Sequence, residues 1–562
     1  MEDSKHPAVL WGALVGTLLM IAALSIFFFG FAAASFVFVP FSLFDWIART
    51  LPGPLITFGI DLMVDIIMAL NIGSLAETAK TAEHILALIF MLAIGAIASA
   101  LFFSLMRQIA QRGAIRRHSS IPGAALGISV GVPLWLITQA VPGVEIAGPI
   151  LNAIWIVGVM LLWGAAVGWV YHMLAFGEAP KPQINDPAAY SSVYRIDRRR
   201  FLIQVGGATA AITVIGAGLG SLLRQEDSFS AAPSTGATID PELAQQLAAL
   251  PNADDPVVPA PGTRLEITPV EQHYRIDINS LPIVIPEESY TLLFVSALND
   301  EGSLTVLKEF TLEELRSSYE PVSAHITMAC ISNRIAGPLI GTTLWTGVRL
   351  QTLLEDVGIP DGATHLKITS ADGFDETVAL DLIAADDRIM LAYAWDGQPL
   401  TADHGFPLRI HIPDRYGMKQ PKWITSIEFI SGDQDGYWVR RGWDKEAFVR
   451  ATSVIDTVAT SAMTTDEAGQ QLIPIGGIAW AGARGISRVE VRVNGGEWIE
   501  ARLRQPLSDR TWSIWRYDWP FTPGMHTFEV RCAEGDGTPQ IEAQNPVRPS
   551  GATGIHSTRA SV

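Results

Sequence analysis

The chain has 562 residues, of which 49% are hydrophobic and only 17% charged, with a mean hydropathy of +0.28. Soluble domains carry about 25% charged residues, so a wholly soluble protein is excluded. The formal net charge of −18 argues against nucleic acid or anionic lipid as the partner of the soluble part.

The charge deficit is local. The first 180 residues hold seven Lys/Arg and nine Asp/Glu, whereas the remaining 382 hold 32 and 48. Pro7–Phe44 runs for 38 residues without a charge, Ile85–Met106 for 22, Ser119–Val144 for 26 and Ile146–Tyr171 for 26. Each exceeds the roughly 20 residues that a helix needs to cross the hydrocarbon. Thr50–Ala76 is also apolar but carries Asp61 and Asp65, one helical turn apart. Phe201–Leu223 adds a last uncharged run of 23 residues, rich in Gly and Ala. Six spans are predicted: a transmembrane bundle of about five helices over 1–180, then a sixth anchoring helix within 181–227.

Basic residues stay on the cytoplasmic side of a membrane. Arg107, Arg112, Arg116 and Arg117 lie between spans three and four, and Arg195, Arg198, Arg199 and Arg200 between five and six. Arg49 fits the same scheme, which puts the N-terminus and the large C-terminal part outside the cytoplasm. Asp61 and Asp65 suit a proton path, a helix-facing structural role or a re-entrant span. His84 and His172 fall at opposite faces, which leaves no histidine pair for a b-type haem.

Asp197-Arg198-Arg199-Arg200-Phe201-Leu202 resembles the twin-arginine export pattern R-R-x-F-L, a route taken by domains that fold with their cofactor before export. Residues 228–263, rich in Ala, Pro, Ser and Asp, read as a linker. Beyond it the pattern changes to short alternating runs bounded by Gly, Pro and Asp, which predict strands at Tyr290–Val295, His365–Thr369, Leu408–Ile412 and Trp423–Ile430. Helices are predicted at Leu312–Ser318 and Leu350–Val357. From about Leu472, strands at Ser487–Val493, Trp498–Leu503, Ser513–Asp518 and His526–Cys532 surround an Asn494-Gly495-Gly496 turn. Asn-Gly between alternating runs is a hairpin signal, and the spacing predicts a β-sandwich.

Two cysteines occur, Cys330 and Cys532. An exported chain can oxidise them, so a 330–532 disulfide stays open at this level. Cys532 ends a predicted strand, where a buried free thiol is ordinary. Cys330 opens the polar turn Cys330-Ile331-Ser332-Asn333, where a thiolate suits a nucleophile or a soft metal ligand. No Cys/His spacing for zinc and no Walker pattern is present.

Thr327-Met-Ala-Cys330-Ile-Ser-Asn333, Gly341-Thr-Thr-Leu-Trp345-Thr-Gly347-Val-Arg-Leu350, Leu391-Ala-Tyr393-Ala-Trp-Asp-Gly397-Gln-Pro399, His404-Gly-Phe-Pro407-Leu-Arg409 and Lys419-Gln-Pro-Lys422-Trp423 together resemble the molybdopterin domain of the sulfite oxidase family. Asn494-Gly-Gly-Glu-Trp498, Trp512 and Pro523-Gly-Met-His526 are similar to the family's Mo-cofactor dimerisation domain. The resemblance implies an α+β molybdopterin-binding oxidoreductase domain over 264–455, an immunoglobulin-like β-sandwich over 456–546 and a C-terminal tail over 547–562. With the helical bundle in front, it implies a membrane-anchored bacterial form in the plasma membrane, multi-pass, with its catalytic domain on the extracytoplasmic side.

The same resemblance implies the chemistry. The cofactor is molybdenum-molybdopterin, with Cys330 as the metal's single protein ligand. Asn333, His404, Arg409, Lys419 and Lys422 would hold the anionic pterin. Tyr393 matches the family's active-site tyrosine, and Arg275 approaches the pterin or substrate. The reaction class is oxygen-atom transfer with a small oxyanion, or in the reverse direction with an S-oxide or N-oxide. A metal-free surface binding module on the same fold is the reading from another class. Where sulfite oxidases have a second arginine after the cysteine, this chain has Asn333-Arg334-Ile335, which weakens the case for sulfite. Electrons must pass to a separate carrier, a cytochrome or a quinone pathway, since no cytochrome motif is present. Membrane lipid surrounds the bundle, nucleic acid is not a partner, and a homodimer is one assembly that the dimerisation-type domain suggests.

Overall fold

The structure, a computed structural model, describes residues 7–56, 58, 59, 62, 66, 75–111, 120–143, 147–176, 198–224, 250–298 and 303–562. Asp61, Asp65, Arg112, Arg116, Arg117, Arg195 and most of the 228–263 segment lie outside the described residues. The chain divides into two compact units.

The first unit is helical and comprises Met1–Leu51, Lys80–Ser230 and the short return Asn279–Leu281. Its helices are α1 (Val9–Ala34), α2 (Val39–Thr50), α3 (Leu75–Gln111), α4 (Ser120–Ala140), α5 (Pro149–Phe176) and α6 (Arg198–Arg224). Among the described residues, Val9–Ala34, Lys80–Ile109, Ser120–Ala140, Pro149–Ala175 and Val205–Leu222 are long and apolar enough to cross a membrane. The 38-residue uncharged run is not one helix. Ser35 adopts a left-handed φ of 53°, and α2 restarts beyond it with Pro40 in its first turn.

Small residues set the closest helix pair. Gly123, Gly127 and Gly131 line one face of α4 against α5, and a Cβ on Gly127 would meet the Met160 carbonyl oxygen at 2.2 Å. Such stripes let helix backbones come into contact. The return segment is bound polar group by polar group. Ser280 donates its backbone N–H (2.9 Å) and its hydroxyl (2.6 Å) to Asp45, while Lys80 donates to the Asn279 carbonyl at 2.8 Å. His84 Nε2 bonds the Ser280 carbonyl at 2.9 Å.

The second unit is β-rich. One sheet runs in the order β2 (Thr305–Thr311), β1 (Thr291–Ser296), β10 (Ile424–Ile430), β5 (His365–Ser370), β6 (Asp375–Ala379), with β1 and β10 parallel. Another runs β3 (Val322–Ala329), β4 (Ile340–Arg349), β7 (Met390–Trp395), β8 (Gln398–Pro399), with β9 (Arg409–His411) also on β7. Between them lies a core holding Leu292, Phe294, Leu366, Ile368, Ile427, Phe429, Trp345 and Leu391, all fully buried. Short helices α7 (Leu312–Ser317), α8 (Leu350–Val357) and α9 (Leu380–Ala385) flank the sheets. The first has a capping box, Thr311 accepting from the Glu314 N–H and Glu314 accepting in return.

Two antiparallel sheets complete the unit. One is β11 (Thr452–Val458), β13 (Gln471–Trp480), β17 (Ser513–Pro520), β16 (Arg502–Leu503), with β12 (Thr464–Thr465) on β13. The other is β15 (Ile499–Glu500), β14 (Ile486–Val493), β18 (Met525–Glu534), β19 (His556–Ser561). They face each other across Ile473, Ile475, Trp515, Val489, Val491, Phe528 and Val530, as a sandwich does. The 547–562 segment is not a loose tail, because β19 pairs along β18 from Met525↔Ser561 to Val530↔His556. Nor is the end of the 228–263 segment a free linker: Arg504 donates to the carbonyls of Asn252 (2.9 Å) and Val257 (3.0 Å). Both cysteines are free and buried, so the 330–532 disulfide is not formed.

Candidate functional site

Cys330 stands one residue past the end of β3, at the meeting of two cores. Ile326 and Met328 belong to the core between the first two sheets, whereas Ala329 and Ile331 pack with Tyr416, Met418, Trp480 and Trp512. The strand is also stitched to the sandwich. Thr327 donates its N–H to the Arg510 carbonyl (3.1 Å), and its hydroxyl accepts the Trp512 N–H (3.0 Å).

The loop after Cys330 is closed by its own backbone. Cys330 N–H donates to the Leu339 carbonyl, and Asn333 N–H to the Cys330 carbonyl, both at 3.0 Å. The Asn333 side-chain oxygen accepts the Leu339 N–H at 2.9 Å. Asn333 therefore positions the thiol loop. The Cys330 sulfur lies 3.1 Å from the Ser332 hydroxyl, and burial pushes its thiol up, with Ser332 pulling the other way. A thiolate in this place needs a cation beside it.

The phenols whose titration the thiol influences are Tyr274 and Tyr416. Tyr393, on β7, has Arg316 over its ring at 5.7 Å, and that arginine pairs with Glu287. Burial raises the Tyr393 phenol and Arg316 lowers it. Tyr393 thus stands with Arg316, while the Tyr274 hydroxyl lies against Gly417 together with the Ala329 carbonyl and the Met328 sulfur.

Arg409, the first residue of β9, is 4% exposed. Its guanidinium lies over the rings of both Trp345 (4.7 Å) and Trp395 (4.9 Å). It donates to the His404 carbonyl at 2.9 Å and to the Met328 sulfur at 3.2 Å. Among the described residues no carboxylate pairs with it, and its Nε, like the indole nitrogens of Trp345 and Trp395, is buried without a hydrogen-bond partner. Burial pulls it down to about 10. His404 joins the same cluster, 4.8 Å from the Trp395 ring and 5.5 Å from His273, and burial pushes it well down.

The other cations already hold acids. Lys422 reaches Asp277 at 3.1 Å and the Asp403 carbonyl at 2.7 Å. Burial lowers it to about 8, against the pull of Asp277. Arg275 binds Asp277 at 2.7 Å and Asp403 at 3.0 Å. Lys419 is buried on Glu376. So three of the four cations named from the sequence carry a protein carboxylate, and Arg409 does not.

Residues to which the sequence alone gave no role complete the cluster: His273, Tyr274, Asp277, Trp395 and Tyr416. Tyr274 and Asp277 flank Arg275 in the run Tyr274-Arg275-Ile276-Asp277, and Trp395 lies in the motif around Tyr393. Tyr416 stands alone in its loop and offered no signal.

This donor set fits a large anionic cofactor that brings its own metal. A buried cation without an acid, three orphaned N–H groups and one soft sulfur want an anion rich in acceptors. Among the described residues no group of three His, Cys, Asp or Glu converges to hold a metal. A metal on Cys330 must then take its remaining ligands from the cofactor.

Residues 283–438 match the family model described as oxidoreductase molybdopterin binding domain. Over 286 residues the chain is 28% identical to sulfite oxidase of Arabidopsis thaliana, which covers 43% of this chain and 71% of that one. Over 231 residues it is 32% identical to mitochondrial sulfite oxidase of Mus musculus, covering 36% of this chain and 42% of that one. The chain thus spans less than half the length of the mouse relative. A crystal structure of the sulfane dehydrogenase SoxCD from Paracoccus pantotrophus aligns with a TM-score of 0.45 at 19% identity, over 53% of this chain and 82% of that one.

Proposed function

The chain belongs to the sulfite oxidase family of molybdenum-molybdopterin oxidoreductases, and from that premise we propose that it is a membrane-anchored enzyme of oxygen-atom transfer. Its substrates are small oxyanions or, in the reverse direction, S-oxides or N-oxides. Its electrons pass to a separate carrier, a cytochrome or a quinone pathway.

One observation carries this reading: Arg409 is a buried guanidinium with no acid among the described residues, and it donates to Met328, two residues before the buried thiol of Cys330. An unpaired buried cation is costly to the fold, and an anionic cofactor removes that cost. When bound, molybdenum supplies a two-electron centre for moving an oxygen atom. Cys330 supplies its one protein ligand, on a loop that Asn333 holds closed. Arg409 and the two indole N–H groups would hold the pterin, with Lys422 and Arg275, both bound to Asp277, as further cations for it. Tyr274, whose hydroxyl lies against Gly417 together with the carbonyl of Ala329, is the phenol that would donate to an oxygen near the thiol. Ile335, where sulfite oxidases have arginine, supports a substrate with less negative charge than sulfite.

The five long apolar helices, the clustering of basic residues in alternate loops and the Arg198-Arg199-Arg200-Phe201-Leu202 pattern support a multi-pass protein of the bacterial plasma membrane. The same features support an extracytoplasmic catalytic domain. The sandwich is in this reading the immunoglobulin-like dimerisation-type domain, and a homodimer follows from it. The test is molybdenum per chain by metal mass spectrometry, on protein from a host with pterin synthesis and twin-arginine export. Near-stoichiometric metal in the wild type and its loss in Cys330→Ser is the expected result. Wild-type protein that is folded yet free of molybdenum would overturn the reading in favour of a binding module.

A further inference from the structure

Glu376 and Lys419 form a buried ion pair. The Glu376 side chain is 0% exposed and that of Lys419 9%. One Glu376 oxygen accepts from Lys419 and from the Thr377 N–H, and the other is buried with no partner among the described residues. Burial pushes the Glu376 carboxyl up, against the pull of Lys419. Such a pair adds little to stability, since apolar side chains of similar volume usually serve as well. Its place in the fold suggests what it does instead.

Lys419 closes the short 3-10 turn Gly417–Lys419, and its N–H donates to the Tyr416 carbonyl at 2.9 Å. This turn is pressed against the thiol strand. A Cβ on Gly417 would lie 3.0 Å from the Tyr274 hydroxyl, 3.5 Å from the Ala329 carbonyl oxygen and 3.6 Å from the Met328 sulfur. Tyr416 at its head accepts the Arg450 N–H at 3.1 Å. The turn therefore touches Tyr274 and the residue preceding Cys330, and it carries Tyr416.

We propose that Glu376 and Lys419 are positioning residues, which pin the Tyr416–Lys419 turn and through it set Tyr274 and Tyr416 around Cys330. In this assignment Lys419 serves the protein's own carboxylate and not the pterin. The assignment rests on the reading of Cys330 as the metal ligand only for its second readout.

The test uses the full-length chain. The first readout is the rate of Cys330 alkylation by iodoacetamide in metal-free protein, followed by peptide mass spectrometry. The second is the Mo(V) electron paramagnetic resonance signature of loaded protein. Glu376→Gln and the paired replacement Glu376→Leu with Lys419→Met are each expected to speed alkylation at least about threefold, through local opening of the turn. Both are also expected to shift the Mo(V) g values, whereas Lys419→Arg, which keeps the pair, restores wild-type behaviour in both. The paired variant guards against misfolding, because it leaves no unpaired buried charge. Alkylation within about twofold of wild type in the paired variant would overturn the proposal. Molybdenum missing from wild-type protein would instead count against the cofactor reading and leave the alkylation result to decide.

Discussion

The carboxylate of Asp277 and the ammonium of Lys422 lie 3.1 Å apart, with side chains 2% and 13% exposed. Arg275 binds the same carboxylate at 2.7 Å. A residue in the run before β1 is thereby tied to the loop before β10. Removing one partner of a buried pair leaves an uncompensated charge, at a cost of roughly 3–5 kcal/mol. Asp277→Asn is accordingly expected to lower thermal stability by that order, and Asp277→Asn with Lys422→Met by much less. Equal losses in the single and double variants would mean that the pair is not the element being broken.

Arg409 makes the opposite prediction. Without cofactor its buried guanidinium has no acid to offset its desolvation, so Arg409→Met should leave metal-free protein as stable as wild type or more so. The same substitution should abolish cofactor retention, read as molybdenum and pterin per chain. A strongly destabilised metal-free variant would give Arg409 a structural role and remove the observation on which the proposed function rests. Melting curves of the two proteins in their metal-free form suffice to decide.

Three buried histidines give a pH dependence with a definite sign. Burial holds His273 and His411 neutral, each pushed down to about 3, with Arg409 acting in the same direction on both. His404 is pushed down as well. In the unfolded chain these groups protonate near pH 6.5, so between about pH 6.5 and 3 the unfolded state binds more protons than the folded one. Their contribution to stability is complete above about pH 6.5 and is lost as pH falls toward about 3. Each adds a slope of up to about 1.4 kcal/mol per pH unit in that window. Denaturation of metal-free protein at a series of pH values from about 7 to about 4 measures the slope, which His411→Gln should reduce by one histidine's share.

Much of this molecule was legible in the sequence, for a simple physical reason. Long runs without a charge suit helices, which satisfy their own backbone, and such runs coincide with helices among the described residues, while motif order drew attention to the thiol loop, Arg409 and Lys422. What was not legible depended on contacts between segments far apart in the chain. Lys419 and Lys422 are three residues apart and alike in composition, yet one meets Glu376 and the other Asp277. Tyr393 stood in a matching motif, but its charged neighbour Arg316 comes from α7, and Tyr274 reaches the thiol cluster from 56 positions before Cys330. The break after α1 was invisible because Ser35 interrupts the helix by a left-handed φ of 53° and not by any change in hydropathy.

Thr327 offers the last test, since it joins the thiol strand to the sandwich. Its hydroxyl accepts the Trp512 N–H at 3.0 Å and also contacts the Thr342 hydroxyl. Valine has nearly the same shape but cannot accept, so Thr327→Val would leave a buried backbone N–H and a buried hydroxyl without their partner. Each unsatisfied buried group costs about 1–3 kcal/mol, so the two together should cost roughly 2–6 kcal/mol. The Trp512 amide should lose its protection against hydrogen exchange while strand β18, on the far sheet of the sandwich, keeps its own. Because Thr327 is three residues before Cys330, cofactor retention should also fall in this variant. Unchanged exchange at Trp512 would mean that the 508–512 loop is held by its other contacts, Ser508 to His325 at 2.6 Å foremost, and that the thiol strand does not depend on Thr327.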